Sequence, residues 1–468
     1  MKGFSSVDLQ EIEEERERAA ARFEKALSDA RVIGNILNDI HGTRHSERFW
    51  LYLVLPLVRK HQIRMYQQGL SAQRKAAEET PERAEQKPIA RRMAGLKSVM
   101  YSKAKMALKS AAAWSRYPEL KKKLAVGRVF SYAFHEPPAL EGEAVSLPAA
   151  VPALFGKGDQ RKRSAVLERS EPLSDGEQRA VLCSLPDYLV ERFDGFIRRV
   201  PLTNPAEKEF HISIGHVDFM ALVFALHFEH GAKMIRYQHG SHYGEQAYFD
   251  SVERHNCTEF HTWGWKILPQ DVPDRAFRLE GFRRRYQACG TRREIDLLMC
   301  FPALHENNIE RVSAQAHCIL DGLNRTRFRT VIARPRPMAR FGDFSHSVRF
   351  LSGRDIEIDS GQDDIAALIA KSELVLHFEV PSTTFLECMH VDQPVTGIYF
   401  NLRPTEIVLP FYQFFFRVGI LHLTAESLVE HLNSISDVAS WWSDVRGHAE
   451  YQEFKAKFCG QSSDGGVK

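Results

Sequence analysis

IDLLMCFP (295–302), RVSAQAHCILDGL (311–323) and TVIARPRP (330–337) decide the fold class of this 468-residue chain. A strand-length apolar run, a segment with helical apolar spacing and a second strand-length run make a strand–helix–strand unit of a parallel sheet. The alternation continues through IEID (356–359), DDIAALIAKS (363–372), ELVLHFE (373–379), STTFLECMHV (382–391) and PVTGIYF (394–400). IDLLMCFP reads as a strand buried on both faces, as parallel strands between two helical layers are.

Upstream the same pattern recurs. FHISIG (210–215) is a strand, VDFMALVFALHFEHG (217–231) a helix with Gly231 as its C-cap, and KMIRYQ (233–238) a strand that runs into the Gly-rich HGSHYGE (239–245). Two such series, joined through about 270–290, predict an α/β chain with a GT-B-like pair of Rossmann-type domains. Residues 7–40 and 97–126 have helix composition, and 71–95, with Pro81 and Pro88, read as a loose connection. The expected division is a helical N-terminal extension (1–125), an N-terminal Rossmann-like acceptor domain (126–285), a C-terminal Rossmann-like nucleotide-sugar domain (286–424) and C-terminal helices packing back (425–468). VFSYAF (129–134) reads as a short strand, and 136–174, with several prolines and the basic run Lys157–Arg163, as an irregular insertion. The last helices are expected over Ala425–Ile435 and Asp437–Phe458.

Composition narrows the function classes. Hydrophobic residues at 44% and charged residues at 26% exclude a disordered chain, a collagen and a coiled-coil rod. The longest apolar run, FWLYLVLPLV (49–58), is half the roughly 20 residues that span a bilayer. The acid-rich start lacks the basic-then-apolar order of a signal peptide, so the chain is read as cytoplasmic. Seven dispersed cysteines without a CxxC pair support neither a disulfide framework nor a zinc ribbon. Charge is uneven: Arg59 to Lys123 carries 17 Lys/Arg against five Glu, an excess of +12 in a chain of net +3. Such a segment fits an anionic membrane surface or a phosphorylated glycan, unless it is a solvated helical face. No RNA- or DNA-binding motif accompanies it, so no nucleic acid is expected.

Ligands of open α/β sheets bind beyond the carboxyl ends of the strands, and three such places carry chemistry here. Gln238-His239-Gly240-Ser241-His242-Tyr243-Gly244-Glu245 follows a strand. His239 is a candidate general base, and Glu245 could orient it or act as the base itself; a turn that merely packs its rings is the plainer alternative. Arg334-Pro335-Arg336-Pro337 offers two guanidiniums as a diphosphate clamp, or a structural salt bridge. Ser382, Thr383 and Thr384 open a helix whose free amides suit an anion, with Glu387 one turn on to accept from ribose hydroxyls. The same residues also read as a capping box. There is no P-loop, HExxH or GxSxG. EIDSGQDD (357–364) is better read as acidic caps than as a metal site, so neither a metal nor a cofactor is expected.

LNDIHGTRHSERFWLYLVLPLV (37–58), RYQHGSHYGE (236–245) with TWGW (262–265), and PSTTFLE (381–387) with DQPVTGIYF (392–400) resemble a family of bacterial transferases of O-antigen and surface-carbohydrate biosynthesis. A looser similarity runs to the CDP-glycerol glycerophosphotransferases, whose His-Gly and Ser-rich helix start match His239-Gly240 and Ser382. Arg336 stands where their pattern has His. The resemblance implies His239 as base, Arg334 and Arg336 as the donor-phosphate clamp, and Ser382, Thr383, Thr384 and Glu387 as the nucleotide cradle. His41, Arg44, His45, His242 and Tyr243 are acceptor-side candidates; the first three could instead bond the helix ends they flank. The expected activity is transfer of a sugar from a nucleotide sugar to a glycan or lipid-linked glycan acceptor, without a metal, in the cytoplasm and at the inner face of the membrane. A phosphoalcohol transferase and a non-enzymatic membrane scaffold are the alternatives.

Overall fold

The computed structural model describes residues 6–78, 128–131, 143–144, 158–198, 200, 202, 204–212, 219–248, 251–274, 276–290, 293–304, 308–336, 345–361, 363–399 and 403–460. Most of the basic segment 59–123 therefore lies outside the described residues.

Helix α1 (Ser6–His41) and helix α2 (Glu47–Glu78) form an antiparallel hairpin against the first of two sheets. That sheet holds β1 (Arg128–Ser131), β2 (Glu143–Ala144), β3 (Glu209–Ile212), β4 (Lys233–Tyr237), β5 (Glu259–Thr262) and β6 (Asp271–Pro273), in the order β2-β1-β3-β4-β5-β6, all parallel. Between β3 and β4 runs helix α4 (Phe219–Glu229), after the earlier helix α3 (Gln160–Ser170). Every residue of α4 from Ala221 to Phe228 is buried, including His227. A helix apolar on all sides needs cover on all sides, and α2 supplies the outer layer with Phe49, Trp50, Tyr52 and Leu55 in the same core. The helix α2 runs through Pro56 without ending there.

Helix α5 (Phe277–Ala288) joins the two sheets. The second contains β7 (Ile295–Cys300), β8 (Val331–Arg334), β9 (Glu357–Ile358), β10 (Ser372–Val380), β11 (Val395–Tyr399) and β12 (Leu421–His422), in the order β12-β11-β10-β7-β8-β9 and again all parallel. Its intervening helices are α6 (Ile309–Gly322), α7 (Ile365–Lys371), α8 (Thr383–His390) and α9 (Leu409–Val418). Helix α6 buries Val312, Ala316, Ile319 and Leu320, one stripe at helical spacing. Three helices close the described chain: α10 (Ala425–Ser434), α11 (Val438–Gly447) and α12 (Ala449–Phe458).

Two expectations change. Within the stretch expected to be irregular, residues 160–170 form α3, which Asp159 caps by accepting from Arg161 N. Lys162 then pairs with Asp194, and Arg163 makes a two-pronged pair with Glu191, so these two charges are neutralised within the fold. The expected helix from Asp437 to Phe458 is two helices, because His448 is extended (ψ 139°) after Gly447. The last of them packs back onto TWGW. At Gly264 (φ 124°) an added Cβ would sit 2.6 Å from Ala456 O, and Gly460 N donates to Trp263 O at 2.9 Å. Among the described residues no helix is long and apolar enough to cross a membrane.

Candidate active site

The loop after β4 and the start of α8 touch. Ser241 N donates to Thr383 Oγ1 at 3.1 Å, and a Cβ on Gly240 would lie a tight 3.0 Å from that oxygen. His239, carried at the carboxyl end of one sheet, thus stands beside the helix that begins at the carboxyl end of the other. Arg278, in the first turn of α5, ties them further: it donates to His239 O at 3.0 Å and pairs with Glu387 at 3.4 Å.

The loop keeps its shape through buried contacts. The Gln238 side chain donates to Gly240 O at 3.0 Å and accepts from Trp263 N and from the Trp265 indole at 2.9 and 2.8 Å. Gly244 (φ 70°) lies under the Trp265 ring, whose atoms would come within 2.6 Å of an added Cβ, so only glycine lets the loop pass. From the other side, Thr405 donates through N to Glu245 O (2.9 Å) and through Oγ1 to Gly244 O (2.6 Å), and Ala247 N donates to Arg403 O at 2.9 Å. The long α1 braces this segment, since Arg16 Nε donates to Pro404 O at 2.6 Å.

Behind His239 lies Tyr243, whose hydroxyl is 3.0 Å from His239 Nδ1 and donates to Glu253 Oε2 at 2.5 Å. Tyr243 is buried with its ring stacked on Phe260, so it is a support of His239 and not an open acceptor surface. His242 adopts φ 78° and exchanges a hydrogen bond with the Gln246 side chain at 2.9 Å. Burial, reinforced by the charge of nearby Arg336, lowers the His242 pKa to about 4, so this ring stays neutral.

Glu245 departs from its expected role. It is fully buried, accepts from the Tyr412 hydroxyl at 2.6 Å and from His242 N at 3.3 Å, and its carboxyl is pushed up to about 7 by burial. A base must reach the proton it removes, and this carboxyl points into the core toward α9. It shapes the loop and does not contact His239; the Tyr243 hydroxyl behind His239 is held instead by Glu253.

Helix α8 starts as read. Ser382 is its N-cap, with Oγ accepting from Phe385 N at 3.2 Å and lying 3.3 Å from Nδ1 of the buried His377. No capping box forms, because Glu387 lies too far along the helix and turns instead to Arg278. Burial raises the Glu387 pKa while Arg278 opposes the shift, and this pairing corrects the view of Glu387 as a free ribose acceptor. The two arginines of RPRP also separate. Arg334 is buried in an ion pair with Asp359, whose carboxylate further accepts from Gly361 N at 3.1 Å, so the salt-bridge alternative describes it. Arg336 is exposed. Of EIDSGQDD, Asp359 is thus occupied and Asp364 caps α7, accepting from Ala366 N at 3.0 Å.

The N-terminal motif is elsewhere. The His41 imidazole is buried, 2.9 Å from Leu189 O and 2.8 Å from Lys162 Nζ, against the Phe193 ring. His45 Nδ1 meets Glu229 Oε2 at 2.7 Å, while Ser46 N donates to Glu229 Oε1 at 2.6 Å; Arg44 beside them is exposed. Glu229 closes α4, the helix that returns to begin β4, so this cluster lies at the amino ends of the strands. His239 leaves the other end of β4, five residues or about 16 Å away. His41, Arg44 and His45 therefore do not line an acceptor site with His239; His41 ties α1 to α3 and the Leu189–Phe193 segment, and His45 ties the start of α2 to α4.

Two doubly wound parallel sheets, met at their carboxyl-end loops and linked by one helix, define a GT-B-type architecture. Within that class, residues 157–467, two thirds of the chain, match the LIC12162 family of transferases, and the chain belongs to that family. No curated protein sequence matches it. Among solved structures it is similar to HepE of Anabaena in complex with UDP-glucose (11% identity over 71% of this chain and 95% of that one, TM-score 0.35). It is also similar to the wall teichoic acid polymerase TagF (9%, 73% and 79%, TM-score 0.32) and to MurG of Acinetobacter baumannii (11%, 56% and 75%, TM-score 0.33).

Proposed function

We propose that this transferase moves a glycosyl group from a nucleotide-activated donor to a cell-surface glycan acceptor, free or lipid-linked. One observation carries the reading: a strand-end histidine of the first sheet stands against the capped amino end of α8 in the second, joined through Ser241 and Thr383. The first half would hold the acceptor and the second the donor. The leaving phosphate would lie at the amides and hydroxyls of Ser382, Thr383 and Thr384, where the helix dipole and free N–H groups favour an anion, with Arg336 as the accessible cation. His239 would take the proton of the attacking acceptor hydroxyl. Stabilising the departing phosphate by groups already in place is the larger part of such catalysis. No resident cofactor is assigned. The positive excess of 59–123 is proposed to hold the enzyme at an anionic bilayer, where a lipid-linked acceptor is confined.

Thermal-shift measurements against UDP, GDP, CMP, CDP and dTDP test the donor half. One nucleotide should raise the melting temperature of the wild type, and Arg336→Ala should need about tenfold more of it, as for one lost charge-assisted hydrogen bond. Absence of stabilisation by every nucleotide sinks the reading. Flotation with anionic and neutral vesicles tests the surface role: binding that requires anionic lipid and fades with salt is expected, and no binding to either refutes it.

A further inference from the structure

Two short stretches from opposite halves of the molecule pair as strands do. Ala247 N donates to Arg403 O and Thr405 N to Glu245 O, both at 2.9 Å, and Gln246 faces Pro404 in an antiparallel bridge. The two bonds flank the Gln246–Pro404 pair and use neither member's N–H, so a proline fits there at no cost. Thr405 adds a second grip through its side chain, Oγ1 donating to Gly244 O at 2.6 Å. Its own carbonyl accepts from Val408 N and Leu409 N at 3.2 and 3.0 Å, so the same residue leads into α9. We infer that Thr405 is a positioning residue of the proposed transfer: it seats the loop that carries His239 on the second half, so that base and phosphate cradle keep one separation before any ligand binds. Its role in transfer rests on the reading of His239 as base; the bridge stands apart from that reading.

Neighbouring contacts pull the same way. Ser241 N reaches Thr383 Oγ1 at 3.1 Å, and Arg278, on the helix that joins the halves, holds His239 O at 3.0 Å. Beneath the bridge the buried Glu245 carboxyl accepts from Tyr412 of α9 at 2.6 Å. Arg16 of α1 donates to Pro404 O at 2.6 Å and so fastens the N-terminal hairpin to the same spot. Toward its own sheet the loop is held by Gln238 on the Trp265 indole and by Gly244 under that ring. Residues 239–247 therefore bond to both halves, and a hinge that opened the cleft here would break all of these bonds together. A reacting group fixed in advance needs no reorganisation at the moment of reaction, whereas a misplacement of about 1 Å can cost about a hundredfold in rate.

Amide hydrogen exchange of the full chain reads the bridge without any substrate. In the ligand-free protein the Ala247 and Thr405 amides should exchange at least about a hundredfold more slowly than in an unstructured chain, and the nucleotide that stabilises the protein should change this by less than about twofold. Amides that are unprotected, or protected only once nucleotide is bound, overturn the inference. Thr405→Val keeps the N–H and loses the hydroxyl; it should speed exchange at Ala247 about tenfold, as the loss of one hydrogen bond does. In a transfer assay it should lower kcat about tenfold with the donor KM within about twofold of wild type. Thr405→Ser, which restores the hydroxyl, should return both readouts to wild-type values. Equal turnover in the two variants overturns the positioning role, and should Thr405→Val fold poorly, the wild-type exchange rates decide. Undiminished turnover in His239→Gln would overturn the reading of His239 as base and leave the exchange result standing.

Discussion

HGTRH (41–45) and HGSHYGE (239–245) look alike as sequence: each begins His-Gly, carries a second histidine and separates two regular elements. In the fold they occupy opposite ends of the same sheet. The first turns between α1 and α2 beside the end of α4, which feeds the amino end of β4; the second leaves that strand's carboxyl end. Around the first, the histidines bond to groups that hold neighbouring helices and turns together: Leu189 O and Lys162 for His41, Glu229 for His45. Around the second, the contacts support a ring that stands next to another domain's helix start. What separates a stitch from a site is the end of the strand, and residue type does not reveal it.

The comparison breaks most visibly at His239. Replacing it with Ala should cost about 10²- to 10⁴-fold in turnover, as loss of a general base does, with an unchanged denaturant midpoint; assays of nucleotide release from a nucleotide-sugar panel would read it. Normal turnover would place both turns in the same structural category. On the other side, Glu229→Ala leaves Ser46 N and His45 without their carboxylate and should lower stability by about 1–3 kcal/mol in urea unfolding, with no effect on the rate per folded molecule.

Titration sharpens the contrast, because the two ends carry opposite signs. Burial, reinforced by the Lys162 charge, depresses the His41 pKa to about 4 from an unfolded value near 6.5. The unfolded chain therefore binds the extra proton first, and stability falls as pH is lowered from about 6.5 to 4. Glu245 is raised to about 7 from 4.5, so its protonated form is favoured in the fold and stability falls as pH rises through that window. His41→Gln should flatten the acid limb and Glu245→Gln the neutral one; a curve unchanged by either would show that these groups do not govern it. The smallest effect belongs to Arg44→Ala. An exposed side chain at the stitched end should change stability by less than about 0.5 kcal/mol and leave turnover untouched.

The sheets were legible because parallel strands covered on both faces are written as continuous apolar runs, and strand ends locate sites by rule. Partners through space were not. Arg278 is one of four arginines in FRLEGFRRRYQA, and nothing local sets it apart from its neighbours. Glu253 meets this loop only through the Tyr243 hydroxyl, ten residues away in the chain, and spacing alone does not reveal that contact. The fate of Arg334 was within reach: β8 pairs with β9 in register Ala333 to Ile358, which sets Arg334 beside Asp359, the acid that ends IEID. Reading each strand with its lateral neighbour would have found that pair.

The layering of the first sheet also bears on how the chain is made. Phe49 to Val58 needs α4 as its cover, yet roughly 160 residues separate them, which at 5–20 residues per second is about ten to thirty seconds of synthesis. During that interval α1, already emerged, can shield one side of the run, and the other stays wet and adhesive. The nascent chain therefore carries this uncovered apolar face until β3 and α4 have been made.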